Sequence, residues 1–105
     1  MIAMETLWNL NRPECIAVTE HARLRLLERG IAVKDIISCI ASGRIIKQYE
    51  DDKPFPSCLL MGKDENGQVL HAVISHDGEY LHLITAYYPN RDLWEADLQT
   101  RKGRS

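Results

Sequence analysis

No hydrophobic run in these 105 residues approaches the roughly 20 apolar residues that a helix needs to cross a bilayer. The opening, Met1-Ile-Ala-Met-Glu-Thr-Leu-Trp-Asn-Leu10, has no basic region and no uninterrupted apolar stretch, so it does not read as a signal peptide. Cysteine is scarce: Cys15, Cys39 and Cys58 are odd in number and far apart. They make neither a disulfide framework nor a zinc pattern, which fits a reducing cytoplasm. An excess of one charge is also missing. Thirteen Lys and Arg face fifteen Asp and Glu, a net charge of −2, so no global field gathers nucleic acid. A local basic stripe survives such a total. The chain has no P-loop, no dinucleotide fingerprint and no paired-carboxylate signature. No histidine pair has the i, i+4 spacing of a zinc site, so neither metal nor cofactor is expected.

What is present is an ordinary soluble domain. The 45% hydrophobic and 27% charged content suits one core, and the length leaves no room for two. Residues 1–17 read as an irregular lead-in, with Pro13 blocking any helix through it. A domain then runs over 18–98, and 99–105 form a loose basic tail. Thr19 is a suitable N-cap, Glu20 suits the positive helix end, and Gly30 stops the first helix. Val33, Ile36, Ile37 and Ile40 recur at helical spacing until Gly43. Leu24 and Leu27 are expected in the core with Ile36, Ile37 and Ile40.

Strand chemistry follows. Gly43–Tyr49, Gln68–Ser75 and Tyr80–Tyr88 are rich in β-branched and aromatic residues, and Ser57–Lys63 is a short, mainly apolar run between turn signals. Asp64-Glu-Asn-Gly67 and His76-Asp-Gly78 supply turns, and a longer link with two prolines joins the first pair. The expected fold is α+β: an N-terminal αα-hairpin packed on a four-stranded antiparallel sheet, in the order α-α-β-β-β-β. Alternation puts Leu70, Ala72 and Ile74 on one face and His71, Val73 and Ser75 on the other. The same rule groups Leu81, Leu83, Thr85 and Tyr87.

The most informative segment is Thr19–Ile31. On a helix, His21, Arg25 and Arg29 form a polar stripe with Glu28, and such a stripe can exchange a proton and hold a phosphate. Taken alone, the segment reads slightly better as an Arg-rich surface helix with an incidental His and a Glu28 partner. His71, taken alone, reads as a satisfied core or edge histidine. His76 sits in a turn, and His82 lines an exposed strand face.

Five spaced motifs add a resemblance. They are His21-x-x-x-Arg25-x-x-x-Arg29-Gly-Ile, Gly43-x-Ile-Ile-x-x-Tyr49, Pro56-Ser-Cys-Leu-Leu, Leu70-His71, and Ile84-Thr-Ala-Tyr-Tyr-Pro89 with Trp94. Together they resemble domain-of-unknown-function family 4258, from about Val18 to Trp94. The resemblance implies a prokaryotic protein with a RelE-like or colicin-like ribonuclease fold. It also implies an adjacent-gene partner of the antitoxin kind, a small zinc-finger or helix-turn-helix protein. By that likeness His21, Arg25, His71 and Tyr87 are the catalytic candidates, and Arg29 and Thr85 the substrate-binding ones.

The chemistry of RNA cleavage gives these residues roles. A base must take the 2′-hydroxyl proton, an acid must serve the leaving 5′-oxygen, and cations must steady the phosphorane. His21 and His71 would exchange protons, Arg25 and Arg29 would grip phosphate, and Tyr87 with Thr85 would orient or donate. The expected function is thus a toxin-like, metal-independent endoribonuclease of the cytoplasm. Two alternatives are a non-catalytic module that binds protein or nucleic acid through the same face, and a structural domain whose polar stripe is an internal network. The enzyme reading needs the helix stripe and His71 to share one cleft.

Overall fold

The computed structural model describes residues 1–90, 92–94 and 97–99. The expected loose tail from Thr100 onward lies outside the described residues. Six helical residues, Met4–Asn9 (α1), open the chain where irregular structure is expected. Pro13 still ends the possibility of a longer helix and starts a short 3₁₀ turn over Pro13–Cys15. Leu7 is fully buried, and the Trp8 indole donates to the Ile40 carbonyl at 3.1 Å, so the lead-in is part of the core.

Strand Ile16–Val18 (β1) precedes helices Glu20–Arg29 (α2) and Val33–Ser42 (α3). Thr19 caps α2 by accepting from the Ala22 amide at 3.1 Å. Gly30 closes it at φ 69°, a left-handed conformation that suits glycine. In the first turn of α3 the Asp35 carboxylate accepts from the Ala32 amide. Four strands follow: Arg44–Tyr49 (β2), Ser57–Lys63 (β3), Val69–His76 (β4) and Leu81–Tyr87 (β5).

The sheet order is β1-β5-β4-β3-β2, and all neighbours are antiparallel except β1 with β5. The α+β class matches expectation, but α1 and β1 precede the helix pair, so the expected order α-α-β-β-β-β is not the observed one, and the described sheet has five strands with one parallel pair. Its additional strand, β1, has only three residues and pairs with a segment more than sixty positions away, so no local pattern announces it. Residues Leu81–Leu83 of β5 are covered by β1, and the rest of that edge extends past it.

Helix α2 lies over β5, and α3 lies over β3 and β4. Beneath them Leu26, Ile36, Cys39 and Ile40 meet Cys58, Leu60, Leu70, Ala72, Ile74, Leu81, Leu83 and Ala86. Cys39 packs so closely that a Cβ on Gly62 would collide with its backbone. Leu24 and Leu27 are not core: they are 47% and 65% exposed. With α2 crowded against one strand, its buried seam narrows to Ala22 and Leu26. On the far face, Leu59, Trp94 and Leu98 form a second cluster with Met61, Val73 and Tyr87.

Strand β5 departs from simple alternation. Ile74 pairs with Leu83 but Val73 pairs with Thr85, so Ile84 is an extra, bulged residue. Leu81, Leu83 and Ala86 therefore belong to the helix-covered core, while Thr85 and Tyr87 pair with the far-face residues Val73 and His71. The bulge overturns the expected grouping of Leu81 and Leu83 with Thr85 and Tyr87. It also brings His82 onto the far face, opposite Ser75.

Candidate functional site

Helix α2 carries the stripe along its exposed flank, and only its last member, Arg29, is seen to reach β5. His21, Arg25 and Arg29 flank the buried Ala22–Leu26 seam and are all exposed. Arg25 is balanced by Glu28 at 3.0 Å, and Arg23 by Glu20 at 2.6 Å. Arg29 reaches across instead. Its guanidinium donates to the Thr85 hydroxyl at 3.2 Å and to the Ala86 carbonyl at 2.8 Å. The two expected substrate-binding residues, 56 positions apart, are thus brought together at the sheet edge.

His71 and Tyr87 form a separate pair. They are register partners, with Nδ1 and the phenol oxygen 3.4 Å apart and the rings edge-on at 5.4 Å. The Trp94 ring lies 4.7 Å away at 84°, and His71 is fully buried. Its Nε2 is 2.7 Å from the Leu98 carbonyl. A carbonyl can only accept, so Nε2 carries the proton and Nδ1 is left to accept from Tyr87. Burial holds the imidazole pKa below its ordinary value, against the opposing pull of the Leu98 carbonyl. The helices cover one sheet face and His71 projects from the other, so His21 and His71 do not share a cleft.

A third arrangement lies at the β4–β5 turn, where sequence reasoning saw only an exposed face. His82 Nε2 is 2.9 Å from Asp77 Oδ2. Asp77 Oδ1 accepts from the Glu79 and Tyr80 amides, both at 2.9 Å, which fixes the carboxylate inside its own turn. The His82 bond, followed by those two amides, holds the Asp77 pKa below the usual carboxylate range. Phe55, from the loop between β2 and β3, stacks on the His82 ring at 6.1 Å and 12°. The signal was available: His76-Asp-Gly78 predicts a tight turn, and such a turn folds Asp77 back toward the start of the next strand.

Other groups have structural employment. Asp64 accepts from the Tyr88 hydroxyl at 2.7 Å and from the Asn66 and Gln68 amides, tying the β3–β4 turn to the end of β5. Burial, then Asp64, pushes the Tyr88 phenol up to about 12. Burial likewise pushes the Cys39 thiol up to about 12 and the Cys58 thiol to about 11, which leaves both unreactive near neutrality. An open cavity of about 360 Å³ lined by Gly67, Gln68, Val69, Tyr88, Pro89 and Leu98 sits at the opposite end of β4 from His82. Among the described residues no three His, Cys, Asp or Glu side chains gather as a metal site. Nor is any described helix long and apolar enough to cross a membrane.

Residues 18–88, about two-thirds of the chain, match the family described as Domain of unknown function (DUF4258). The chain belongs to that family. The matched DUF4258 region begins at the last residue of β1 and ends just after β5, so it contains both helices of the hairpin, Arg29 with Thr85, and the Asp77–His82 pair. No curated protein and no solved structure matches the chain.

Proposed function

We propose that this domain cleaves RNA by side-chain acid–base chemistry, in the manner of a RelE-like toxin of the cytoplasm. One observation carries the reading: Arg29, from the helix stripe, lies on Thr85 at the edge of β5 while remaining exposed. A guanidinium held there keeps donors free for a phosphate, with Thr85 fixing its orientation. His21 and Arg25 continue the same stripe along α2 and remain open to solvent. His71 and Tyr87 take a different part, bracing the far face beneath Trp94 and Leu98. An adjacent-gene partner of the zinc-finger or helix-turn-helix kind would hold the activity in check.

A second reading, a non-catalytic RNA- or protein-binding module, is favoured by the sealing of His71 and by the neutralisation of Arg25 by Glu28. The two separate in one experiment. Purified protein is incubated with a mixed-sequence RNA oligonucleotide, and products and gel mobility are followed together. The enzyme reading expects shortened RNA and a loss of about tenfold or more on Arg29→Lys, because an ammonium cannot reproduce the bidentate grip. Retarded but uncut RNA supports the binding module and overturns cleavage.

A further inference from the structure

Cleavage needs a general base with an accessible lone pair, and His71 offers none: its two nitrogens face Leu98 and Tyr87 inside the far-face cluster. The described residues contain one imidazole that a carboxylate orients. Because Asp77 accepts from His82 Nε2, the neutral ring carries its proton there and keeps its lone pair on Nδ1. The side chain is 36% exposed, so a ligand atom can reach it. We infer that His82, oriented by Asp77, is the general base of the proposed RNA cleavage, acting on a phosphodiester held by Arg29. This rests on the ribonuclease reading above.

The bulge makes the combination possible. His82 pairs with Ser75 and Thr85 with Val73, so the two side chains stand two register positions apart on the far face. At about 3.3 Å per residue that is roughly 7 Å along the sheet. Arg29 Nη1 donates to the Thr85 hydroxyl at 3.2 Å. Without the extra residue at Ile84, His82 and Thr85 would project from opposite faces. On its other side His82 is flanked by Phe55, whose residue is 41% exposed and whose ring offers a stacking surface for an unpaired base. Asp51, Asp52 and Glu79 belong to the neighbouring turns and repel a phosphate there. The scissile group is therefore placed on the Arg29 side and the base on the Phe55 side. That arrangement selects single-stranded RNA.

The step balances without a further reactant. Nδ1 of His82 takes the proton of the 2′-hydroxyl, the 2′-oxygen bonds to phosphorus, and the P–O5′ bond breaks. The departing 5′-oxygen takes a proton from water, and the hydroxide so formed discharges the imidazolium. The products are a 2′,3′-cyclic phosphate and a free 5′-hydroxyl. Asp77 is a positioning residue: it holds the tautomer and offsets the charge that His82 gains.

The test uses the full chain and a fluorescent single-stranded RNA oligonucleotide, beside the same oligonucleotide with one 2′-deoxy position. Wild-type protein should cut the RNA to cyclic-phosphate ends and spare the bond after the deoxy position. His82→Ala should lower kcat by roughly 10²–10⁴ with KM little changed, and added imidazole should restore part of the rate. Asp77→Asn should lower kcat in the same direction, also without a rise in KM. Thermal melts identify any variant that fails to fold, and His82→Gln serves as the second variant. If wild-type protein cuts and both His82 variants cut within threefold of it, His82 is not the base and the ribonuclease reading stands without it. Wild-type protein that cuts no RNA overturns the reading and this inference together.

Discussion

Two histidines eleven residues apart on one face of one sheet have opposite surroundings. His71 lies beneath Trp94 with a carbonyl at Nε2 and a phenol at Nδ1, and no solvent reaches it. His82 lies at the turn end with a carboxylate at Nε2, an aromatic ring alongside, and a side chain that solvent partly reaches. The first arrangement uses up the imidazole as a cross-brace between β4, β5 and the segment bearing Leu98. The second leaves it available. Residue type and strand face are the same in both places. The identity of the neighbour at Nε2, and what lies over the ring, set the difference.

Truncation sharpens the contrast most. His71→Ala leaves the Leu98 carbonyl without its donor and opens a void under Trp94. Unsatisfied polar groups and cavities of this kind together cost about 2–4 kcal/mol. His82→Ala removes a partly exposed ring and should leave the denaturant midpoint nearly unmoved. Equal midpoints for the two variants in urea titrations would remove the distinction.

A smaller effect is carried by pH. Burial keeps the folded pKa of His71 below its unfolded value of 6.5. As the pH falls through 6.5, the unfolded chain takes up a proton that the folded one refuses, so stability declines. The contribution is complete above pH 6.5 and is lost progressively below it. His71→Gln should flatten the difference between urea midpoints at pH 7.5 and 5.5. A wild-type midpoint with no decline over that range would show that His71 is hydrated.

Much of this was legible in the chain. Thr19 and Gly30 bounded α2 because capping and left-handed backbone are local requirements. The Ser57–Lys63 strand follows from a short apolar run set between a proline-rich link and the Asp64–Gly67 turn. Long-range or geometric features escaped. The three residues of β1 have no pattern of their own, and their pairing depends on a strand formed at the other end of the chain. The bulge at Ile84 inverted the face of half a strand, since alternation counts residues and cannot see an unpaired one. Leu24 and Leu27 have core chemistry, but α2 presses only its Ala22–Leu26 seam onto the sheet. At the candidate site, Arg29 and Thr85 were each named from motifs, and folding supplied their contact. The contact of Asp77 with His82 depends on the geometry of the His76-Asp-Gly78 turn, which no residue motif states.

The most direct measurement is a long-range ¹H–¹⁵N correlation spectrum of the imidazole nitrogens, recorded across a pH series on the wild type and on Asp77→Asn. The account predicts that His71 keeps its proton on Nε2 and begins to titrate only below the ordinary histidine range. It predicts that neutral His82 also carries its proton on Nε2 in the wild type and loses that preference in Asp77→Asn. A His71 that titrates near 6.5, or a His82 protonated on Nδ1 in the wild type, would contradict it.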